Sequence, residues 1–302
     1  MGTIDLVALE IFRTVAEQGG IGRAAMKLNR VQSNVTTRVK QLEQSLGVAL
    51  FLRQGRGIVL SPEGRVLLSY AERLLQLSAE AESAVRVGVP QGTLRLGALE
   101  SLAATRLPPI LSRFHAAHPA VRIDLVTGTT AALVGRVRTH EVDGALVAQP
   151  FDGRELDARV VFIEELVLIG PKGAARIRTP RDIGTRTIIA FATGCAYRQR
   201  LEHWLGTRVV PERVLEFGSY HAIVACVAAG SGIAVAPRSV VRALHADQDV
   251  SVHPLPAVVA RAPICLVQRP DHQSATFDLF QKEFTRVRRS HSTSQTPDHG
   301  ST

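Results

Sequence analysis

Cysteine is scarce in this chain. Three occur in 302 residues, Cys195, Cys226 and Cys265, far apart and with no CxxC pair. That odd, scattered set argues against a disulfide-stapled secreted scaffold. Long apolar runs are missing too, and nothing approaches the roughly 20 residues that a membrane span needs. The opening stretch MGTIDLVALEIFRTVAEQGG carries Asp5, Glu10 and Glu17 and lacks the basic region of a signal peptide. The expected compartment is the cytoplasm, with no membrane partner. Lysine is rare beside arginine, as a GC-rich coding bias would produce, so the net charge of +9 does not by itself imply an anionic partner. Its distribution says more. Between Ile21 and Leu60 there are seven basic residues, Arg23, Lys27, Arg30, Arg38, Lys40, Arg53 and Arg56, against the single acidic Glu43. A local excess of this kind points to nucleic acid.

What is present is ordered globular sequence, 45% hydrophobic and 21% charged, long enough for two or three folding units. Leu6, Leu9, Phe12 and Val15 recur at helical spacing, and Gly19-Gly20 stops that helix. A short second helix, IGRAAMKLN, turns Ala24, Ala25 and Leu28 inward, the two alanines allowing a close crossing. A third runs through VQSNVTTRVKQLEQSLG with Val35, Val39, Leu42 and Leu46 on one face. Its other face is polar near the start, with Gln32, Ser33, Asn34, Thr36 and Thr37, and basic just behind, with Arg38 and Lys40. Gln and Asn can pair with adenine, Arg with guanine, and Thr methyls can touch thymine. This is the pattern of a helix-turn-helix whose last helix reads the major groove.

The next stretch, ALFLRQGRGIVLSPEG, predicts two short strands, Leu50-Phe51 and Ile58–Leu60, around a turn of Arg53, Gln54, Gly55, Arg56 and Gly57. It reads as a wing laid along phosphates or into the minor groove. Ser61 and Pro62 then start a long helix, Ser61 as N-cap and Pro62 at the first helical position. Val66, Leu67, Tyr70, Leu74, Leu77, Ala81, Ala84 and Val85 continue one apolar stripe to about Val87, which packs either on its own domain or, as the symmetry of DNA sites favours, on a partner helix in a dimer. The DNA-contact set on this reading is Arg23, Gln32, Ser33, Asn34, Thr36, Thr37, Arg38, Lys40, Arg53 and Arg56.

These residues resemble the DNA-binding domain of LysR-type transcriptional regulators. The resemblance rests on Ala24-Ala25, Leu28, Gln32, Leu42-Glu43, Leu46-Gly47, Leu50-Phe51, Arg53, Arg56, Leu60 and Gly64 in matching order and spacing. Val31 and Ser33-Asn34 depart from the usual family residues on the recognition helix, so no operator sequence is carried over. The likeness continues past GVPQG, where strand and helix alternate and a parallel α/β sheet is expected: strands over Thr93–Ala98, Val121–Thr127 and Gly144–Ala148, helices over Leu107–His118 and Thr130–His140. The later TIIAF, YRQRLEHWL, VLEF, SYHAIVACVAAG, SGIAVAP and ICLVQ repeat that logic before a last helix near Ser274–Arg286.

The implied fold is α/β: an N-terminal winged helix-turn-helix (1–61), a long linker and dimerisation helix (62–88), and a two-subdomain, periplasmic-binding-protein-like effector domain (92–289). A polar tail (290–302) is expected to be disordered. The implied function is regulation of transcription. Its partners are a double-stranded DNA operator, a second copy or a dimer of dimers, RNA polymerase and a small effector, an anionic one fitting the chemistry best.

Ligands of α/β sheets bind beyond the carboxyl ends of strands and at helix N-termini. Stretches in that position supply Ser101 and Leu102, Thr127 and Thr129, Gly194, Cys195 and Arg198, then Ser219, Tyr220 and His221. Arg198 could pair an anion or form an internal salt bridge; the serines, threonines and glycines could equally cap helices. A family member that senses peroxide through Cys195 is the alternative reading, weakened because no second cysteine follows until Cys226, inside an apolar helix. An enzyme is not expected. GSGIAVAP lies between a helix and a strand, the reverse of a dinucleotide loop. His115 and His118 lack an acidic partner for a metal. No cofactor, metal or catalytic residue is assigned.

Overall fold

The computed structural model of the chain describes residues 4–55, 57–85, 91–184, 187–206 and 209–292. The chain divides into two compact units near residue 88. The first contains α1 (Leu6–Gln18), α2 (Ile21–Lys27), α3 (Gln32–Leu46), the antiparallel pair β1 (Phe51–Gln54) and β2 (Gly57–Leu60), and α4 (Pro62–Val85). Asp5 starts α1 by accepting the Ala8 N–H at 2.7 Å, and Gly19 ends it with φ of 59°. Gly47 ends α3 in the same left-handed way, with φ of 71°. The inward faces follow the spacing except at Leu6, which is 43% exposed at the start of α1. Ile11, Val15, Ala24, Ala25, Val35 and Val39 form one core, and Leu9, Phe12, Leu42, Leu50 and Ala71 form the other. Phe51 packs on both, its ring centroid 5.3 Å from that of Phe12.

The wing is tighter than the sequence suggests. Arg53 and Gln54 belong to β1, paired with Ile58 and Gly57, so neither they nor Gly57 belong to the turn; Arg56 lies outside the described residues. The reason is anchorage at the open end. Glu43, the one acid of the basic window, accepts the N–H groups of Leu50 and Phe51 at 2.8 and 3.3 Å, which sets where pairing begins. Ser61 closes the other side, accepting the Gly64 N–H at 2.8 Å and donating to the Ala49 carbonyl at 2.7 Å. Gly64 is required by that closeness: a Cβ there would lie 2.1 Å from the Leu50 carbonyl oxygen.

The second unit has two lobes. In lobe I, β3 (Gly92–Ala98) lies between and parallel to β4 (Val121–Thr127) and β5 (Gly144–Ala148). Helices α5 (Glu100–Thr105), α6 (Pro108–Ala117) and α7 (Thr130–Arg138) connect these strands. In lobe II, β7 (Thr187–Ala190) is parallel to β8 (Arg213–Glu216), and Ile188 bridges in parallel to Ile233, beside β9 (Ala234–Pro237). Helices α8 (Ala196–Leu205), α9 (Tyr220–Ala228) and α10 (Arg238–Ala243) complete it.

The sheet is mixed rather than wholly parallel, because one strand absent from the sequence reading serves both lobes. This is β6 (Asp157–Pro171), followed later by β10 (Val250–Pro254), α11 (Ala257–Ala260) and β11 (Arg261–Gln268). The first part of β6 pairs antiparallel with β11, itself antiparallel to β5; the second part pairs antiparallel with β9 and β10. The last helix, α12 (Ala275–Ser292), runs past the expected Arg286 and buries Phe277, Phe280 and Phe284, with Phe280 edge-on to Phe114 at 5.8 Å. Among the described residues, no helix is long and apolar enough to cross a membrane.

Gly64→Ala should therefore lower stability by about 3 kcal/mol, the upper part of the usual cost of overpacking. Gly135→Ala, where an added Cβ meets nothing within 4 Å inside α7, should be neutral or stabilising by about 0.5–1 kcal/mol. Urea midpoints followed by far-ultraviolet circular dichroism distinguish the two, and an unshifted midpoint for Gly64→Ala would contradict the close approach.

Candidate functional site

The first unit presents α3 as its polar face. Gln32, Ser33, Asn34, Thr37, Arg38 and Lys40 are exposed, while Val35 and Val39 point into the core. Thr36 is half-buried and its hydroxyl turns back to the Gln32 carbonyl at 2.9 Å, so its methyl is the part free to meet a base. Val31 occupies the N-cap with no side-chain cap bond, which leaves first-turn N–H groups for water or a phosphate. Arg53 is exposed on β1. Two of the expected DNA contacts are already engaged. Arg23 Nε donates to the Gln18 carbonyl at 2.6 Å, finishing the end of α1, and Arg38 lies 3.8 Å from Asp5. Val31 and Met26 of the same unit are 69% and 73% exposed, apolar groups of the kind that can meet thymine methyls.

In the second unit a cavity of about 370 Å³ lies between the lobes. Lobe I contributes Glu100, Thr127, Gly128 and Thr129, and lobe II contributes Phe191, Ala192, Glu216, Phe217 and Gly218. All follow or end β3, β4, β7 or β8, which is where an open α/β sheet places ligands. Of the residues expected from sequence, Thr127 and Thr129 line this cavity. The others do not line it. Ser101 and Leu102 are buried inside α5, and Cys195 and Tyr220 are buried in the core. Ser219 caps α9 by accepting the His221 N–H at 3.2 Å. The sequence reading overlooked Phe191, Phe217 and Glu216, although the strand-end rule that selected Thr127 applies equally to the end of β8.

Arg198 is not free to meet an anion. Its Nε donates to Glu202 at 2.7 Å and its Nη1 to the Phe191 carbonyl at 3.2 Å and to Glu216. The salt-bridge alternative is the one realised. The charged side chains lining the cavity are Glu100 and Glu216. Burial raises the Glu100 carboxyl above its ordinary range, opposed by the Tyr220 backbone N–H and by the charge of His221. The cavity is therefore acidic, the reverse of the anion-binding character expected from Arg198.

Gly194 is where the lobes touch. Its carbonyl accepts the Ala131 N–H at 3.1 Å, its φ is 93°, and a Cβ would come within 2.8 Å of the Ala131 Cβ and 3.2 Å of Thr129 Oγ1. No other residue type permits both the conformation and the approach.

The profile of the LysR substrate binding domain matches residues 88–288, and that of the bacterial regulatory helix-turn-helix protein, lysR family, matches residues 6–65. The chain belongs to the LysR family. Curated relatives agree over nearly the full length. The regulator YusT of Bacillus subtilis is 38% identical over 283 residues, covering 93% of this chain and 95% of its own. GltR of the same organism is 35% identical, covering 89% and 91%. Solved structures show the same fold. An OxyR variant from Pseudomonas aeruginosa superposes with a TM-score of 0.72 at 22% identity, covering 94% of this chain and 95% of that one; CbnR complexed with its target DNA gives 0.67 at 21%, covering 94% and 99%. The chain is thus a LysR-type transcriptional regulator with a helix-turn-helix and an effector-binding domain.

Within this LysR-type regulator the alternative role for Cys195 loses its physical basis. A peroxide-reactive cysteine is an accessible thiolate. Burial pushes the Cys195 thiol up, against a smaller lowering by the Arg198 and Tyr197 N–H groups at the start of α8. Cys265 is buried and raised as well. Among the described residues, no group of three or more His, Cys, Asp or Glu could hold a metal ion. In native protein at neutral pH, the half-buried Cys226 should react with a thiol reagent before Cys195 and Cys265. Peptide mapping after brief labelling checks this; preferential labelling of Cys195 would restore the redox reading.

Proposed function

We propose that this regulator reads its operator through the start of α3 and the β1–β2 wing, and adjusts that binding when a small molecule occupies the cavity between the lobes. The observation that carries the DNA half is the run of exposed polar side chains at Gln32, Ser33, Asn34 and Thr37, just after a helix N-terminus with no side-chain cap. Gln32 and Asn34 are suited to adenine, and Lys40, Arg53 and Arg56 to phosphates. Arg38 joins them by exchanging its loose pairing with Asp5 for DNA. Arg23 serves mainly to hold α1 against α2, and any phosphate contact it makes is secondary.

The effector half is supported by the cavity's position at four strand ends and by the lobe contact at Gly194. A ligand that favours one lobe spacing over another shifts the population of that spacing, and the coupling to DNA is reciprocal. Val66, Tyr70, Leu74 and Leu77 form an exposed apolar stripe along α4, which supports pairing with a second copy. A dimer, or a dimer of dimers, then matches a two-fold operator. We further propose that the protein works in the cytoplasm beside its DNA, acts on RNA polymerase at the promoter, and catalyses no reaction.

Operator binding measured across a salt series tests the assignment. Gln32→Ala should cost about 1–3 kcal/mol on the operator and little on unrelated DNA. Arg53→Ala should weaken both and reduce the slope of log K against log salt by about one unit per phosphate lost in each subunit. Equal losses on both DNAs for Gln32→Ala would remove it from base reading. Leu77→Glu should leave the fold intact and dissociate the dimer in sedimentation analysis; an unchanged oligomer would rule out the α4 stripe as its seam.

A further inference from the structure

The class of effector follows from what lines the interlobe cavity, and this inference rests on the reading of that cavity as the effector site. Its charged lining is two carboxylates, one from each lobe. Glu216 shares Arg198 with Glu202, so one guanidinium serves two carboxylates and the triad keeps a net negative charge. Glu100 takes one hydrogen bond from the Tyr220 N–H, but its Oε2 is buried and has no partner. A buried acceptor without a donor costs stability until something supplies one.

The same shortage continues behind the cavity wall. Glu164 Oε2 lacks a hydrogen-bond donor, with only the Arg106 Nε at 3.5 Å, although Glu164 is 1% exposed. The neighbouring hydroxyls of Ser101 and Tyr197 are buried as well. Glu164, Tyr197 and Glu100 all act on the buried Tyr220.

The remaining walls are apolar or aromatic. Phe191, Ala192 and Phe217 line the lobe II side, and Phe191 packs on Tyr220 with ring centroids 4.9 Å apart. Aromatic faces also attract a cation. A free carboxylate placed here would meet two like charges and no uncommitted guanidinium. A protonated amine would meet both carboxylates. The volume, at the lower end of the about 300–1,000 Å³ typical of ligand pockets, limits the molecule to a small one.

We propose that the effector is a small aliphatic amine or amino compound whose cationic nitrogen sits between Glu100 and Glu216 and whose carbon chain lies against Phe191 and Phe217. Thr127 and Thr129 provide hydroxyls for a further polar group.

The test is calorimetric titration and thermal unfolding of the full chain with butylamine, putrescine and lysine, against butyrate, succinate and glutarate. At least one amine should bind saturably and raise Tm. Glu100→Gln, confirmed as folded by circular dichroism, should weaken that binding about tenfold. Ala192→Trp, which fills the mouth of the cavity from an exposed position, should abolish it. Saturable binding of a carboxylate in place of the amines, lost in Ala192→Trp, would overturn the amine assignment while leaving the cavity as the effector site. Amine binding that is unchanged in Glu100→Gln would overturn the assignment as well. If no probe binds, or binding ignores Ala192→Trp, both the amine assignment and the cavity reading fail together.

Discussion

One strand holds the effector unit together. Over residues 157–165, β6 is hydrogen-bonded to β11 of lobe I; over 166–171 it is hydrogen-bonded to β9 and β10 of lobe II. Neither lobe has a complete sheet without it. Leu166 to Ile169 are fully buried, so the lobe II half cannot detach without exposing core. Because the strand is continuous, the lobes can change spacing only by bending it and the returning segment around α11. Arg200 of α8 donates to the Gln149 carbonyl at 2.8 Å and to the Val258 carbonyl at 3.0 Å, tying lobe II to the end of β5 and to α11. The cavity between the lobes is thus bounded by a joint of limited travel, which suits a sensor that must convert occupancy into a small defined movement.

The distribution of charge explains the division of labour. In the first unit the basic window keeps several cations exposed, while its one acid, Glu43, is spent on the hairpin backbone. In the second unit Arg198, beside the cavity, is consumed by Glu202 and Glu216. The proposed DNA face is therefore basic and the proposed effector cavity acidic.

Much of the fold was legible in the sequence, and the reasons are local. Helical spacing from Leu6 to Val15, the alanine pair in α2 and the glycine stops are all decided within a few residues of themselves. The wing's residues were legible, but its register was not, since the Glu43 bonds to Leu50 and Phe51 span a tertiary contact. The strand β6 escaped notice because its two halves face different surroundings: Asp157 to Val160 are exposed, and Leu166 to Gly170 are buried. No single period describes both. The cavity was legible as a position, at strand ends, and not as a chemistry. Arg198 looked available because its partner Glu216 stands 18 residues away and on another element. The acidic character of the cavity appears only once that pairing is seen.

The central claim is that the cavity and the DNA-reading helix are two ends of one equilibrium. It is tested most directly by measuring the affinity of one stabilising compound for the free protein and for the operator-bound protein. Linkage requires the two affinities to differ by the same factor by which the compound changes operator affinity, typically about 5–150-fold. Equal affinities for the free and operator-bound protein, at saturating occupancy of the cavity, would contradict it.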